Sequence, residues 1–91
     1  MIDEKGKSMH TDPLKNFGLR LVEIRKQKNF SQEKLALESG IARSYLSGVE
    51  RGKRNIALIN ICKLANVLGV PMYVLLQNPS NIQENNNVNN V

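Results

Sequence analysis

Apolar residues recur along the middle of this chain at the three- and four-residue spacing of helices. Leu14, Phe17, Leu21 and Ile24 mark the buried stripe of a first helix over 14–28, with Arg20, Glu23 and Lys26 on its outer side. Ser31 suits an N-cap for a second helix, although Lys34 at the third position does not complete a capping box. Leu35 and Ala36 form the inward face of that helix. Gly40 ends it with a positive φ, and Ile41 folds back as an apolar plug. Tyr45, Leu46 and Val49 recur in a third helix over 42–51, which Arg51 and Gly52 close. A fourth helix over 58–68 carries one stripe of Leu58, Ile61, Cys62, Ala65 and Leu68, with Leu64 and Val67 extending beyond it. Gly69 ends it, and Pro71 at a first helical position opens a short fifth helix over 71–76. The pattern predicts an all-α fold.

The flanks lack this periodicity. Residues 1–13 are polar, mixed in charge and interrupted by Gly6 and Pro13, which reads as a flexible arm. Residues 78–91 contain seven Asn among fourteen positions, a composition that predicts a disordered tail. That leaves 14–77 as one domain, and a chain of 91 residues supports one modest core. No second domain for ligand sensing or catalysis is expected, and so no small-molecule ligand. No apolar run approaches the roughly 18 residues of a membrane span, so no membrane partner is expected. The segment MIDEKGKSMHTDP has no apolar core to serve as a secretory signal. The single cysteine, Cys62, precludes an intrachain disulfide framework and fits a reducing cytoplasm. Its position on the fourth helix reads as a small core residue.

Charge adds a direction to this picture. The net charge is +5, and Arg43, Arg51, Lys53 and Arg54 cluster against the single acid Glu50 in and after the third helix. Residues 55–77 hold only Lys63, and the tail holds only Glu84. A basic third helix and loop fit phosphate contact, although composition alone is equally compatible with an ordinary solvated surface.

Spacing then narrows the class. The pattern Gln32-x-x-Leu35-Ala36-x-x-x-Gly40-Ile41-x-x-Ser44-x-Leu46-Ser47-x-x-Glu50-x-Gly52 resembles the phage Cro/repressor helix-turn-helix family, also called Cro/C1-type or Xre-like. The resemblance spans about 14–76, and the segment ANVLGVPMYVLL is similar to the last two helices of that family. It implies a five-helix, lambda-repressor-like DNA-binding domain whose third helix enters the major groove of double-stranded DNA.

In such a docking the N-terminal half of the third helix faces base edges, which selects Arg43, Ser44 and Ser47. Arg43 is the chief candidate, since a guanidinium can donate two hydrogen bonds to guanine N7 and O6; its alternative role is a phosphate contact. Gln32 matches a family glutamine that contacts phosphate and braces the recognition helix. Tyr45 either packs its ring on the core with the hydroxyl toward phosphate or is wholly core. Arg51, Lys53, Arg54 and Asn55 form a loop suited to phosphate. The resemblance also implies a partly buried salt bridge between Arg25 and Glu50; the alternative is two solvated charges. Two positions depart from expectation. Gly48 weakens a helix interior by about 1 kcal/mol relative to Ala, and either permits close approach to the duplex, leaves space for a long neighbour, or is drift. Ala42 stands where the family often has a capping Ser, Thr or Asp.

Leu64, Val67, Met72, Tyr73, Leu75 and Leu76 are more apolar than one small core requires, which suggests a homodimer seam; ordinary apolar surface is the alternative. Arg54, Asn55, Ile56 and Leu58 match the RNI-x-L segment of a subgroup, the controller proteins of restriction–modification systems. The resemblance therefore implies a homodimeric transcriptional regulator on two-fold symmetric operators, in a bacterial or phage-infected cytoplasm at the nucleoid. RNA polymerase is a candidate further partner. A phage-type repressor or antitoxin-like autoregulator is the alternative within the class, and a protein-docking helical module the alternative outside it. An enzyme is not expected: His10 is the sole histidine, and no catalytic triad, metal-ligand cluster or phosphate loop occurs, so no metal or cofactor is implied.

Overall fold

The computed structural model describes residues 12–80; most of the expected arm and tail, 1–11 and 81–91, lie outside the described residues. Five helices follow one another: α1 Pro13–Gln27, α2 Gln32–Ser39, α3 Arg43–Glu50, α4 Leu58–Leu68 and α5 Met72–Leu75. Helix α1 packs on α3 and α5, α2 on α3 and α4, and α4 on α5. Between them lies a core of Leu21, Ile24, Leu35, Ala36, Leu46, Val49, Ile61, Leu64, Ala65, Leu68 and Leu75. No helix among the described residues is long and apolar enough to cross a membrane.

The close approach of α1 and α3 is permitted by a missing side chain. A Cβ at Gly18 would lie 2.5 Å from the Glu50 carbonyl oxygen and 2.6 Å from that of Val49. The end of α3 therefore lies directly on the backbone of α1, which fixes how far α3 stands out from the body.

Several expectations require correction. Helix α1 begins before residue 14: Asp12 Oδ1 accepts a hydrogen bond from Leu14 N at 2.9 Å, and Pro13 takes the first helical position, where an N–H would be unused. Pro13 thus belongs to the domain and not to an arm. On α4 the buried stripe is Ile61, Leu64, Ala65 and Leu68, whereas Leu58 in the opening turn is 67% exposed. Leu64, assigned above to a dimer seam, is 0% exposed within the monomer, as is Leu75, the one buried residue of α5. Neither can line an interface; both belong to the core, where α2 and α5 pack on α4 and α5 packs on α1. Val67 and Met72 are half-buried and pack against the core, which leaves Tyr73 and Leu76 as the assigned seam residues that face outward, at 64% and 56% exposure. Helix α5 is also shorter than 71–76, with Pro71 as its N-cap and Leu76 as its C-cap.

The outer side of α1 is likewise not simply solvated. Arg20 donates from Nε to the Val74 carbonyl at 2.8 Å, from Nη1 to Glu23 Oε1 at 3.1 Å and from Nη2 to Gln77 Oε1 at 2.7 Å. Ser80 N donates to Glu23 Oε2 at 2.7 Å, and Pro79 is buried. The start of the expected tail is therefore latched to α1.

Candidate nucleic-acid interface

Local chemistry builds the α2–turn–α3 unit. Ser31 Oγ accepts from Lys34 N at 3.0 Å and starts α2. Gly40, at φ 70°, ends it, and Ile41 N returns to the Ala36 carbonyl at 3.0 Å so that Ile41 packs against the core. Ala42 contributes no side-chain hydrogen bond to the start of α3. Helix α3 buries Leu46 and Val49 beneath it. Its opposite face presents Arg43 and Ser44, both exposed, with Ser47 half-buried one turn on.

A polar brace fixes this helix. Arg25 reaches Glu50 with two nitrogens, Nε to Oε2 at 2.7 Å and Nη2 to Oε1 at 3.0 Å. Its third, Nη1, donates to the Phe30 carbonyl at 3.0 Å, which ties in the loop between α1 and α2. Gln32 Nε2 donates to the same Glu50 Oε1 at 2.9 Å, and a long 3.5 Å contact joins Arg43 Nε to Gln32 Oε1. One carboxylate thus links α1, the start of α2 and the end of α3. Gln32 acts in this structure as a strut of the brace, with its amide nitrogen committed to Glu50. The Gln32–Glu50 bond is a feature that spacing does not announce, since its partners stand eighteen residues apart.

Beyond α3 the chain reverses tightly. Gly52 adopts φ 75°, and Lys53 N donates to the Gly48 carbonyl at 2.8 Å. Tyr45 packs its ring at the edge of the core and donates its hydroxyl to the Asn55 carbonyl at 3.0 Å, so its hydroxyl meets the loop. Asn55 Oδ1 turns back to accept from Ile56 N at 2.8 Å. The turn leaves Arg51, Lys53, Arg54 and Asn55 exposed alongside α3. The structure accordingly gathers Arg43, Ser44 and Ser47 on one helix face, with three cations in the adjoining loop. Glu50, the acid nearest in sequence, is neutralised by Arg25 and turned inward. Among the described residues there is no cluster of three or more His, Cys, Asp or Glu that would hold a metal, and Cys62 is half-buried with Asn66 Nδ2 at 3.9 Å from its sulfur.

A braced two-helix unit with an exposed polar face and a basic loop is the arrangement of a helix-turn-helix DNA-binding regulator. Comparison with known proteins agrees: residues 21–75 match the helix-turn-helix family HTH_3, and the chain belongs to that family, of the Cro/C1 type. The chain is 51% identical over 55 residues to the control protein C.BamHI of Bacillus amyloliquefaciens, a match covering 59% of this chain and 68% of the relative. The crystal structure of the restriction–modification controller protein C.AhdI from Aeromonas hydrophila superposes with a TM-score of 0.67 at 53% identity, covering 68% of this chain and 94% of that one. A structure of SinR, described as the master regulator for biofilm formation and solved in complex with DNA, gives a TM-score of 0.64 at 37% identity, covering 67% and 98%.

Proposed function

We propose that this protein is a homodimeric, sequence-specific transcriptional regulator of a restriction–modification operon, reading a two-fold symmetric operator with α3. The observation that carries the reading is the face of α3. Arg43 and Ser44 stand there exposed, with Ser47 half-buried beside them, on a helix tied to α1 and α2 by the Arg25–Glu50–Gln32 brace. In this reading Arg43 is the base reader, Ser44 and Ser47 are less selective partners, and Arg51, Lys53 and Arg54 hold phosphates. Tyr73 and Leu76 supply outward apolar surface for the dimer seam. The likeness to C.BamHI and C.AhdI, both named as controllers, supports the operon assignment. RNA polymerase enters as a partner where an operator adjoins a promoter, and the site of action is the cytoplasm.

Selection of binders from a random duplex pool tests the reading. The expected product is a two-fold symmetric motif with half-sites about 34 Å apart, one turn of duplex or about 10 bp. Sequence-blind enrichment that vanishes as salt rises would reduce the face to a basic surface and favour protein docking instead. An endonuclease gene and a methyltransferase gene beside the coding region, with the selected motif upstream, are expected of a controller. Their absence would assign another operon.

A further inference from the structure

Gly48 is buried inside α3 although it has no side chain, and the group that covers it is Arg54. A Cβ added at Gly48 would overlap Arg54 Cγ and touch Cβ and Cδ at 3.5 Å. These are the first three carbons of the stem, so a Cβ at residue 48 is accommodated only by a turn about the Arg54 χ1 that carries the whole side chain off its seat, not by a small shift of a flexible tip. The turn that brings them there is specified twice, by Gly52 at φ 75° and by the 2.8 Å bond from Lys53 N to the Gly48 carbonyl. Further out, the Arg54 guanidinium carbon lies 5.6 Å from the centre of the Tyr45 ring. The ring is itself pinned, by core packing on one side and by its hydroxyl on the Asn55 carbonyl. Arg54 remains exposed at its head while its stem is seated. Among the described residues, the side chains of Arg51 and Lys53 form no hydrogen bond or ion pair, so the seat distinguishes Arg54 from the other loop cations.

We propose that Gly48 and Tyr45 are positioning residues whose task is to hold Arg54 in one pose beside the recognition helix before DNA arrives. An arginine on a free loop loses rotamer freedom when it engages a ligand, and a seated one has already lost it. Gly48 is therefore space reserved for the Arg54 stem and not clearance for the duplex. The proposal rests on the reading of Arg54 as a DNA contact, and the test separates the two.

Two measurements decide it. In the DNA-free protein, relaxation of the Arg54 Nε–H bond should report an ordered side chain in the wild type and a mobile one in Gly48→Ala and Gly48→Ser. Alanine is the better helix former, so Gly48→Ala keeps its fold once Arg54 swings away, and thermal unfolding checks this. On the selected duplex, Gly48→Ala should weaken binding by about two- to tenfold, the scale of one immobilised long side chain. In an Arg54→Ala background the same substitution should change affinity hardly at all. An equal loss in both backgrounds would overturn the proposal and make Gly48 a clearance for DNA. A mobile Arg54 Nε–H in the wild type would also overturn it. An ordered Nε–H with no loss of affinity in Arg54→Ala would leave the seat in place but remove Arg54 from the DNA contacts, and with that the purpose assigned to the seat.

Discussion

Arg25 on α1 and Glu50 on α3 meet through two parallel hydrogen bonds, at 2.7 and 3.0 Å, with the Glu50 side chain only 4% exposed. The planar fork of arginine matches the carboxylate edge, a geometry lysine does not offer. Gln32 adds a third bond to the same carboxylate, so its lone pairs are well occupied away from water. The pair joins the first helix to the end of the recognition helix at the place where Gly18 lets the two backbones close up. A buried ion pair of this kind is weak evidence of net stability but strong evidence of fixed geometry.

Removing one partner strands the other. Glu50→Ala is expected to lower unfolding free energy by about 3–5 kcal/mol, because Arg25 is left charged and largely enclosed. Replacing both, as Arg25→Met with Glu50→Leu, should cost much less than the two single losses added together. Urea unfolding of the four proteins in the cycle measures the coupling. Additive losses would mean that the two charges are solvated independently.

Ser39, near the end of α2, is buried, and its Oγ has no hydrogen-bond partner among the described residues. A hydroxyl taken out of water without a partner is a net cost, and alanine is the better helix former. Ser39→Ala is therefore expected to raise stability, by about 0.5–2 kcal/mol. A fall in the thermal midpoint would show that the hydroxyl is satisfied by bound water.

The latch on α1 makes a local prediction. Ser80 N donates to Glu23 Oε2, and Glu23 in turn receives Arg20. Glu23→Ala should speed hydrogen exchange at the Ser80 amide and loosen Gln77 through Arg20, while amides of α2 and α3 keep their protection. Unchanged exchange at Ser80 would mean that the segment is held by burial of Pro79 alone.

The corrected seam separates association from folding. Leu76→Glu places a charge on an outward residue, so it should abolish the dimer in sedimentation and leave the monomer fold intact. Leu64→Ala, at a fully buried position, should instead cost about 2–5 kcal/mol of folding stability. A dimer that survives Leu76→Glu would place the seam elsewhere.

Most of the helical framework is legible from short-range chemistry. Ser31, Gly40 and Gly69 mark ends that the structure reproduces, because caps and left-handed turns are decided within a few residues. Helix α4 runs over the expected residues, ended by Gly69 and started at Leu58 with no side-chain cap. Its inward face is harder to read: overlapping stripes through Leu58 and through Leu64 have the same period, and the positions of α2 and α5 choose between them. Arg20 and Glu23 look solvated from sequence because their partners, Val74, Gln77 and Ser80, come from more than fifty residues away. Asp12 and Pro13 form a cap and first-turn pair that polar composition disguises as part of an arm. The Arg25–Glu50 pair and a bracing role for Gln32 are legible only through family resemblance, and that Gln32 braces by bonding to Glu50 emerges from geometry. Gly48 stood out as an anomaly, and Arg54 explains it.

In the proposed function the N-terminal half of α3 reads bases through Arg43. The direct measurement is the affinity of wild type and Arg43→Ala for the selected duplex and for duplexes changed at each half-site position in turn, at several salt concentrations. Arg43→Ala should cost about 1–3 kcal/mol on the selected duplex and abolish discrimination at one base pair of each half-site. A loss that is uniform across all duplexes, with the log–log salt dependence shallower by about 0.9 per phosphate contact removed, would contradict the claim and make Arg43 a phosphate contact.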